Sequence, residues 1–283
     1  MTIRVSGLFR YPVKSMAGTA VQQLELDAMG GVNDRRWMLV DEHHRFITQR
    51  EVGALALIHP HIELDGVRLD APPRIGLHVT TPHETAPTHD VVIWDDVVPA
   101  ADAGEEAARW CSDVLGMACR LVHIAATAQR PLQAKYAGSL DPHNRHVALS
   151  DGAPLLLLSE ASLEQLNDQL TSRTVAPVGI DRFRPNVVLS GTTAHDEDTW
   201  RTIEIGGITI GVGSPCPRCV IPTIDQSRGV RASALRDEPG GEPLRTLATY
   251  RRQGSGVMFG MNATNDTPGV IRLGDVVKVI ESR

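Results

Sequence analysis

The sequence is short of long apolar runs, cysteines, lysines and aromatic side chains, and each shortage removes a class of protein. Its longest apolar run, Ala153–Leu158, falls far below the roughly 18 residues that a membrane-spanning helix needs. Four cysteines in 283 residues do not make a disulfide framework. Lys14, Lys135 and Lys278 are the only lysines, and no Lys/Arg run reads as a nucleic-acid or membrane patch on a chain of formal net charge −6. Aromatics make up only 4% of the residues, which argues against a broad base-stacking surface. The N-terminal stretch MTIRVSGLFRYPVKS lacks the apolar core of a signal peptide and reads as a strand. The expectation is a cytoplasmic protein with neither a nucleic acid nor a membrane as partner.

What is present is ordinary globular material, 42% apolar and 22% charged. In the first part, short apolar segments (IRVSGLF, WMLV, VVIW) alternate with Gly, Pro, Asn and Asp clusters and predict strands. One helix is expected after Asp102 and Glu105, which form a capping-box-like pair, with Gly116 as its stop. A division near residue 125 is expected, giving parts 1–125 and 126–283. The second part opens with PLLLLS running into a helix marked by Leu163, Leu166 and Leu170. Strands follow at Pro185–Leu189, Thr202–Ile205 and Ile208–Val212, then a short helix opened by Pro243. The tail VIRLGDVVKVI reads as a hairpin around Gly274-Asp275. Many short strands and few helices predict a mostly β fold with some α, barrel-like in both parts.

The sharpest chemical feature is Ser214-Pro-Cys-Pro-Arg-Cys-Val-Ile-Pro222. Pro215, Pro217 and Pro222 stiffen the segment, which suits a rigidly held ligand. Arg218 is expected to favour a thiolate on neighbouring Cys219, a soft ligand for a redox-active metal. Structural zinc would need more donors, and Cys111 and Cys119 are not paired to supply them. A thioredoxin-type dithiol should open a helix, whereas VIPTI reads as a strand. Two inert loop cysteines stay open as a reading. Further along, Tyr11-Pro-Val-Lys-Ser15 offers Lys14 and Ser15 to an anion. Asp34-Arg-Arg-Trp37 and Asp181-Arg-Phe-Arg-Pro-Asn186 each place arginine beside aspartate and an aromatic, which serves either phosphate recognition or a structural ion pair. Asn186 has the amide to read a pterin-like edge. The histidines do not cluster, and His43-His44, His59 and His61 read as surface residues.

These motifs in this order resemble the MOSC family, named after the C-terminal domain of molybdenum cofactor sulfurase, and within it the amidoxime-reducing components. The matching stretches are YPVKS at 11–15, DRRW at 34–37, LLSEASL at 157–163, FRPN at 183–186, CPRCVIPTID at 216–225, FGMN at 259–262 and PGVIRLGD at 268–275. Residues 60–145 carry little of it. The resemblance implies an N-terminal MOSC barrel domain followed by a MOSC domain. It implies a molybdenum cofactor, a molybdopterin whose metal is bound by Cys219, with Cys216 a neighbour. Lys14, Ser15, Arg35, Arg184 and Asn186 fall on positions that hold the pterin and its phosphate, and Asn262 stands where eukaryotic relatives place a tyrosine near the cofactor. Gly152 and Ala153 replace hydroxyl residues of those relatives, and Pro217 replaces a serine. The implied activity is reduction of N-hydroxylated small molecules. Electrons are expected from a separate ferredoxin- or cytochrome/flavin-type partner, since no mitochondrial anchor and no iron–sulfur domain are visible in the sequence. Two other readings stay open: a non-catalytic carrier of the cofactor or of sulfur on Cys219, and a pyridoxal-phosphate protein, for which no lysine has a distinctive setting.

Overall fold

The computed structural model describes residues 2–231 and 241–283. Its centre is a nine-stranded sheet. The order across it is Thr19–Ala20, Arg4–Arg10, Val187–Ser190, Leu155–Ser159, Gly256–Asn265, Ile208–Pro217, Trp200–Ile205 and Val277–Ser282, with Arg252–Gln253 paired to Gly256–Asn265. The two ends meet. Val5 donates to the Asp275 carbonyl (2.9 Å), Gly274 to Val5 (2.8 Å) and Val277 to Ile3 (2.9 Å), so the sheet closes on itself and leaves little open edge. Val5, Leu8, Leu157, Leu189, Ile203, Ile210 and Met261 fill the interior. The first strand of the chain therefore belongs to the barrel built mainly by the second half.

Leu155–Ser159 and Val187–Ser190 run parallel, and helix Glu160–Ser172 is their crossover. The Ser159 side chain caps that helix by accepting from the Ser162 N–H. The other half carries a four-stranded sheet (Trp37–Val40, Arg120–Ile124, Asp96–Asp102, Thr88–Ile93) and a three-stranded one (His59–Glu63, Gly66–Asp70, Leu77–Thr80). Helix Glu105–Leu115 contributes Cys111 to its core, where Cys119 also lies. Burial pushes both thiols up, so they pack as small apolar groups.

Local expectations are corrected in two places. The helix at Glu105 ends on Gly116 as read, but no capping box opens it. Asp102 is the last residue of its strand and pairs with Arg120 (2.6 Å), while Gly104 takes the cap at φ 94°. The tail turns at Gly274 but forms no hairpin. Gly269–Arg272 pairs with Gln23–Asp27, whereas Val277–Ser282 pairs with Trp200–Ile205. Both strands meet apolar faces elsewhere in the fold, and those faces outweigh local pairing.

Candidate functional site

Loops from distant parts of the chain converge where the barrel meets the other sheets. Lys14 donates its backbone N–H to Trp37 (2.8 Å) and Arg35 to Tyr11 (2.7 Å), which zips the 11–16 segment to the 34–37 segment. Asn186 reaches in from the start of Val187–Ser190, and residues 149–153 arrive just before Leu155–Ser159. Strand Ile208–Pro217 carries Cys216 and leads into Cys219. Together these segments wall a cavity of about 480 Å³ lined by Lys14, Ser15, Arg35, Arg184, Asn186, Asn262 and Cys219. The residues picked from sequence are thus brought to one place.

Backbone strain is concentrated there. Ser15 (φ 66°), Arg35 (φ 47°) and Arg184 (φ 57°) all adopt the left-handed conformation that side-chain-bearing residues rarely take. Such strain persists where the surroundings over-determine it, commonly at ligand sites. Tyr11 lies between the two arginines, its ring centroid 4.4 Å from the Arg35 guanidinium and 4.3 Å from that of Arg184. Its hydroxyl donates to the Pro185 carbonyl (3.0 Å). Arg35 is further held by Asp34, by the Asn186 Oδ1 (2.8 Å) and by the Arg184 carbonyl (3.2 Å). Asn186 also gives its Nδ2 to the Phe9 carbonyl (3.2 Å), so much of its hydrogen-bonding capacity goes to bracing Arg35. Arg184 donates Nη1 to the Met16 carbonyl (2.7 Å), while its buried Nη2 has no partner among the described residues. Burial lowers Arg184 to about 10, which still leaves a cation at neutral pH.

Lys14 is almost fully buried and donates Nζ to the Leu149 carbonyl (2.8 Å) and to Asp151 (2.5 Å). The other Asp151 oxygen accepts from Arg50 (2.6 Å). Burial alone would raise Asp151, but Lys14 and Arg50 outweigh it and hold the carboxyl well below the usual range. For Arg50, burial opposes the cation, and Asp151 and the Cys219 sulfur together raise its pKa. Arg50, Asp151 and Lys14 thus form a continuous charged chain leading away from Cys219. Arg130 grips the same segment from behind through the carbonyls of Ala148 (3.1 Å) and Asp151 (3.2 Å). Neither Arg50 nor Asp151 is marked in the sequence: one sits in TQRE, the other in a SDG turn, and only folding joins them.

Arg218 does not serve Cys219 as expected. It donates Nη1 to the Cys216 Sγ (3.2 Å) and Nη2 to the Phe183 carbonyl (2.8 Å). In extended chain, residues two apart share a face and neighbours do not, so Arg218 falls beside Cys216, while Arg50 lines the same cavity as Cys219 and is the cation its sulfur favours. Burial pushes the Cys216 thiol up despite Arg218. VIPTI is also corrected. Ile221–Thr223 is a single 3₁₀ turn, closed by the Thr223 N–H on the Val220 carbonyl (3.0 Å), before the short strand Ile224–Asp225. Asn262 braces the cysteine segment from the neighbouring strand, donating Nδ2 to the Ser214 carbonyl (3.1 Å).

The buried lysine makes stability depend on pH. Burial lowers Lys14 to about 8, with Asp151 opposing the shift and Arg130 and Arg50 adding to it. An unfolded chain keeps the ordinary value of about 10.5, so between these limits the unfolded state binds the additional proton and stability rises with pH. Lys14→Met removes that contribution. The difference in denaturant-unfolding free energy, wild type minus Lys14→Met, is expected to grow from about pH 7.5 to about pH 9.5. A difference that stays flat or shrinks contradicts this assignment.

A family model described as the MOSC N-terminal beta barrel domain matches residues 2–118, and one described as the MOSC domain matches residues 144–278. The chain belongs to the MOSC family. Mitochondrial amidoxime-reducing component 1 of Mus musculus is 34% identical over 98% of this chain and 82% of its own length. The human protein of the same name is 32% identical over the same shares. Among solved structures, the YUAD protein from Bacillus subtilis covers 98% of this chain and 94% of its own, at 13% identity and a TM-score of 0.44. No described helix of this MOSC protein is long and apolar enough to cross a membrane.

Proposed function

We propose that this MOSC protein holds a molybdenum cofactor through Cys219 and reduces N-hydroxylated small molecules, of the amidoxime or hydroxylamine type, with electrons from a separate protein. The observation that carries the reading is the meeting of a thiol with Lys14, Arg35 and Arg184 in one cavity. Two features of the site fit such a group. Arg184 keeps a buried guanidinium N–H pair without a partner, which an anionic oxygen would satisfy. The donor set also suits a metal that brings ligands of its own: among the described residues, no group of three or more His, Cys, Asp or Glu is placed to hold a metal ion. A structural zinc site would need such a group. The names of the relatives, amidoxime-reducing components, support the substrate class.

When bound, the cofactor supplies the two-electron redox chemistry by which an N-hydroxylated compound, two electrons and two protons become the amine-type product and water. The protein's part is to bind and orient. Cys219 provides the soft anchoring ligand. Arg184 and Arg35, stacked on Tyr11, offset phosphate or pterin charge, and Asn186 keeps Arg35 in place. Lys14 and Ser15 close the anion-binding side from the first loop. Arg50, tethered by Asp151, holds a positive charge beside the Cys219 sulfur. Asn262 braces the Ser214–Pro215 backbone that leads to the two cysteines.

The test is turnover. Protein produced with adequate molybdate and supplied with a competent electron donor is expected to convert an aromatic amidoxime to its amidine. Molybdenum retained without reduction of any N-hydroxylated compound would favour the carrier reading instead.

A further inference from the structure

One wall of the cavity comes from the stretch of chain that carries least of the family motifs. Strands Thr88–Ile93 and Asp96–Asp102 pair with Ile93 opposite Asp96, leaving Trp94-Asp95 as a two-residue turn. Both turn residues line the cavity together with Cys219. Trp94 has φ 56°, a conformation that turns of this kind normally give to Asn, Asp or Gly. A bulky aromatic there is a backbone outlier, and outliers of this sort gather at ligand sites.

The turn is also locked to the site. Asp96 pairs with Arg130 (2.6 Å), the residue that grips the 148–151 segment. Phe46 donates its N–H to Val92 (3.1 Å) and sets its ring 5.0 Å from that of Trp94. The Arg50 guanidinium covers one side of the indole at 4.6 Å, which ties Trp94 to the group beside Cys219. Even so, Trp94 is 40% exposed. Asp95 is exposed beside it and forms no ion pair among the described residues. An open aromatic surface next to an unpaired carboxylate suits a flat group that carries positive charge.

We propose that Trp94 and Asp95 form a subsite that holds planar amidinium groups, the charged products of the proposed reduction, the indole stacking on the flat group and the carboxylate facing its charge. The proposal rests on the reductase reading for its biological sense, but binding can be tested apart from turnover. Benzamidine, a planar amidinium with no N–O bond to reduce, is titrated calorimetrically into the cofactor-loaded protein, with acetamidine as the small aliphatic control. Wild type is expected to bind benzamidine more tightly. Trp94→Gly relieves the strained backbone, so it keeps the fold while removing the indole. It is expected to weaken benzamidine about 10-fold and acetamidine far less. Asp95→Asn is expected to weaken both ligands about threefold. Benzamidine affinity unchanged in Trp94→Gly, or no preference for benzamidine in wild type, would overturn the subsite. Trp94-dependent binding in a protein that reduces nothing would overturn the reductase reading and leave the subsite standing.

Discussion

Cys219→Ala is expected to leave a folded protein that keeps less than about a tenth of the wild-type molybdenum and has no measurable reductase turnover, while Cys216→Ala keeps both. The asymmetry follows from what each sulfur faces. Cys216 is paired with Arg218, and burial raises its thiol, so it is poorly set to act as a thiolate ligand. Cys219 has Arg50 for a neighbour instead, a cation held in place by Asp151. Removing Cys216 frees one arm of Arg218 and leaves the other on the Phe183 carbonyl. Elemental analysis of both variants, with circular dichroism to confirm folding, reads the result. Equal losses in the two variants would point to a dithiol or a shared-metal mechanism.

Arg184→Met is expected to weaken cofactor retention by roughly 10- to 150-fold, from the loss of a charge-assisted contact of about 1.5–3 kcal/mol. The loss follows from the unpartnered Nη2 and from the stacking that fixes the side chain over Tyr11. Arg184→Lys keeps the charge but not the second N–H group, and should fall between the two. Retention is measured as the molybdenum left after gel filtration and dialysis. If Met and Lys variants retain the metal as wild type does, Arg184 does not hold the cofactor.

The mostly β class was legible because short strands and turn clusters are local properties, and Gly116 could be read as a helix stop because its role is local too. What failed was governed by tertiary contact. The tail strands are neighbours in sequence and so read as partners, but each finds its partner in a distant strand. The VIPTI segment has strand-forming side chains, yet Pro222 and the Thr223 turn override them. At the site, Lys14, Arg35 and Arg184 stood out because each belongs to a motif. Arg50 and Asp151 did not, since a lone arginine and a turn aspartate gain meaning only when folding places them against Lys14 and Cys219. Arg218 lies beside Cys216 rather than Cys219 for the same reason: adjacency along an extended chain is not adjacency in space.

Protein expressed with adequate molybdate, purified without chelators and analysed for molybdenum and zinc together is predicted to carry molybdenum approaching one atom per chain, lost in Cys219→Ala. Zinc in its place, with no molybdenum, would contradict the account.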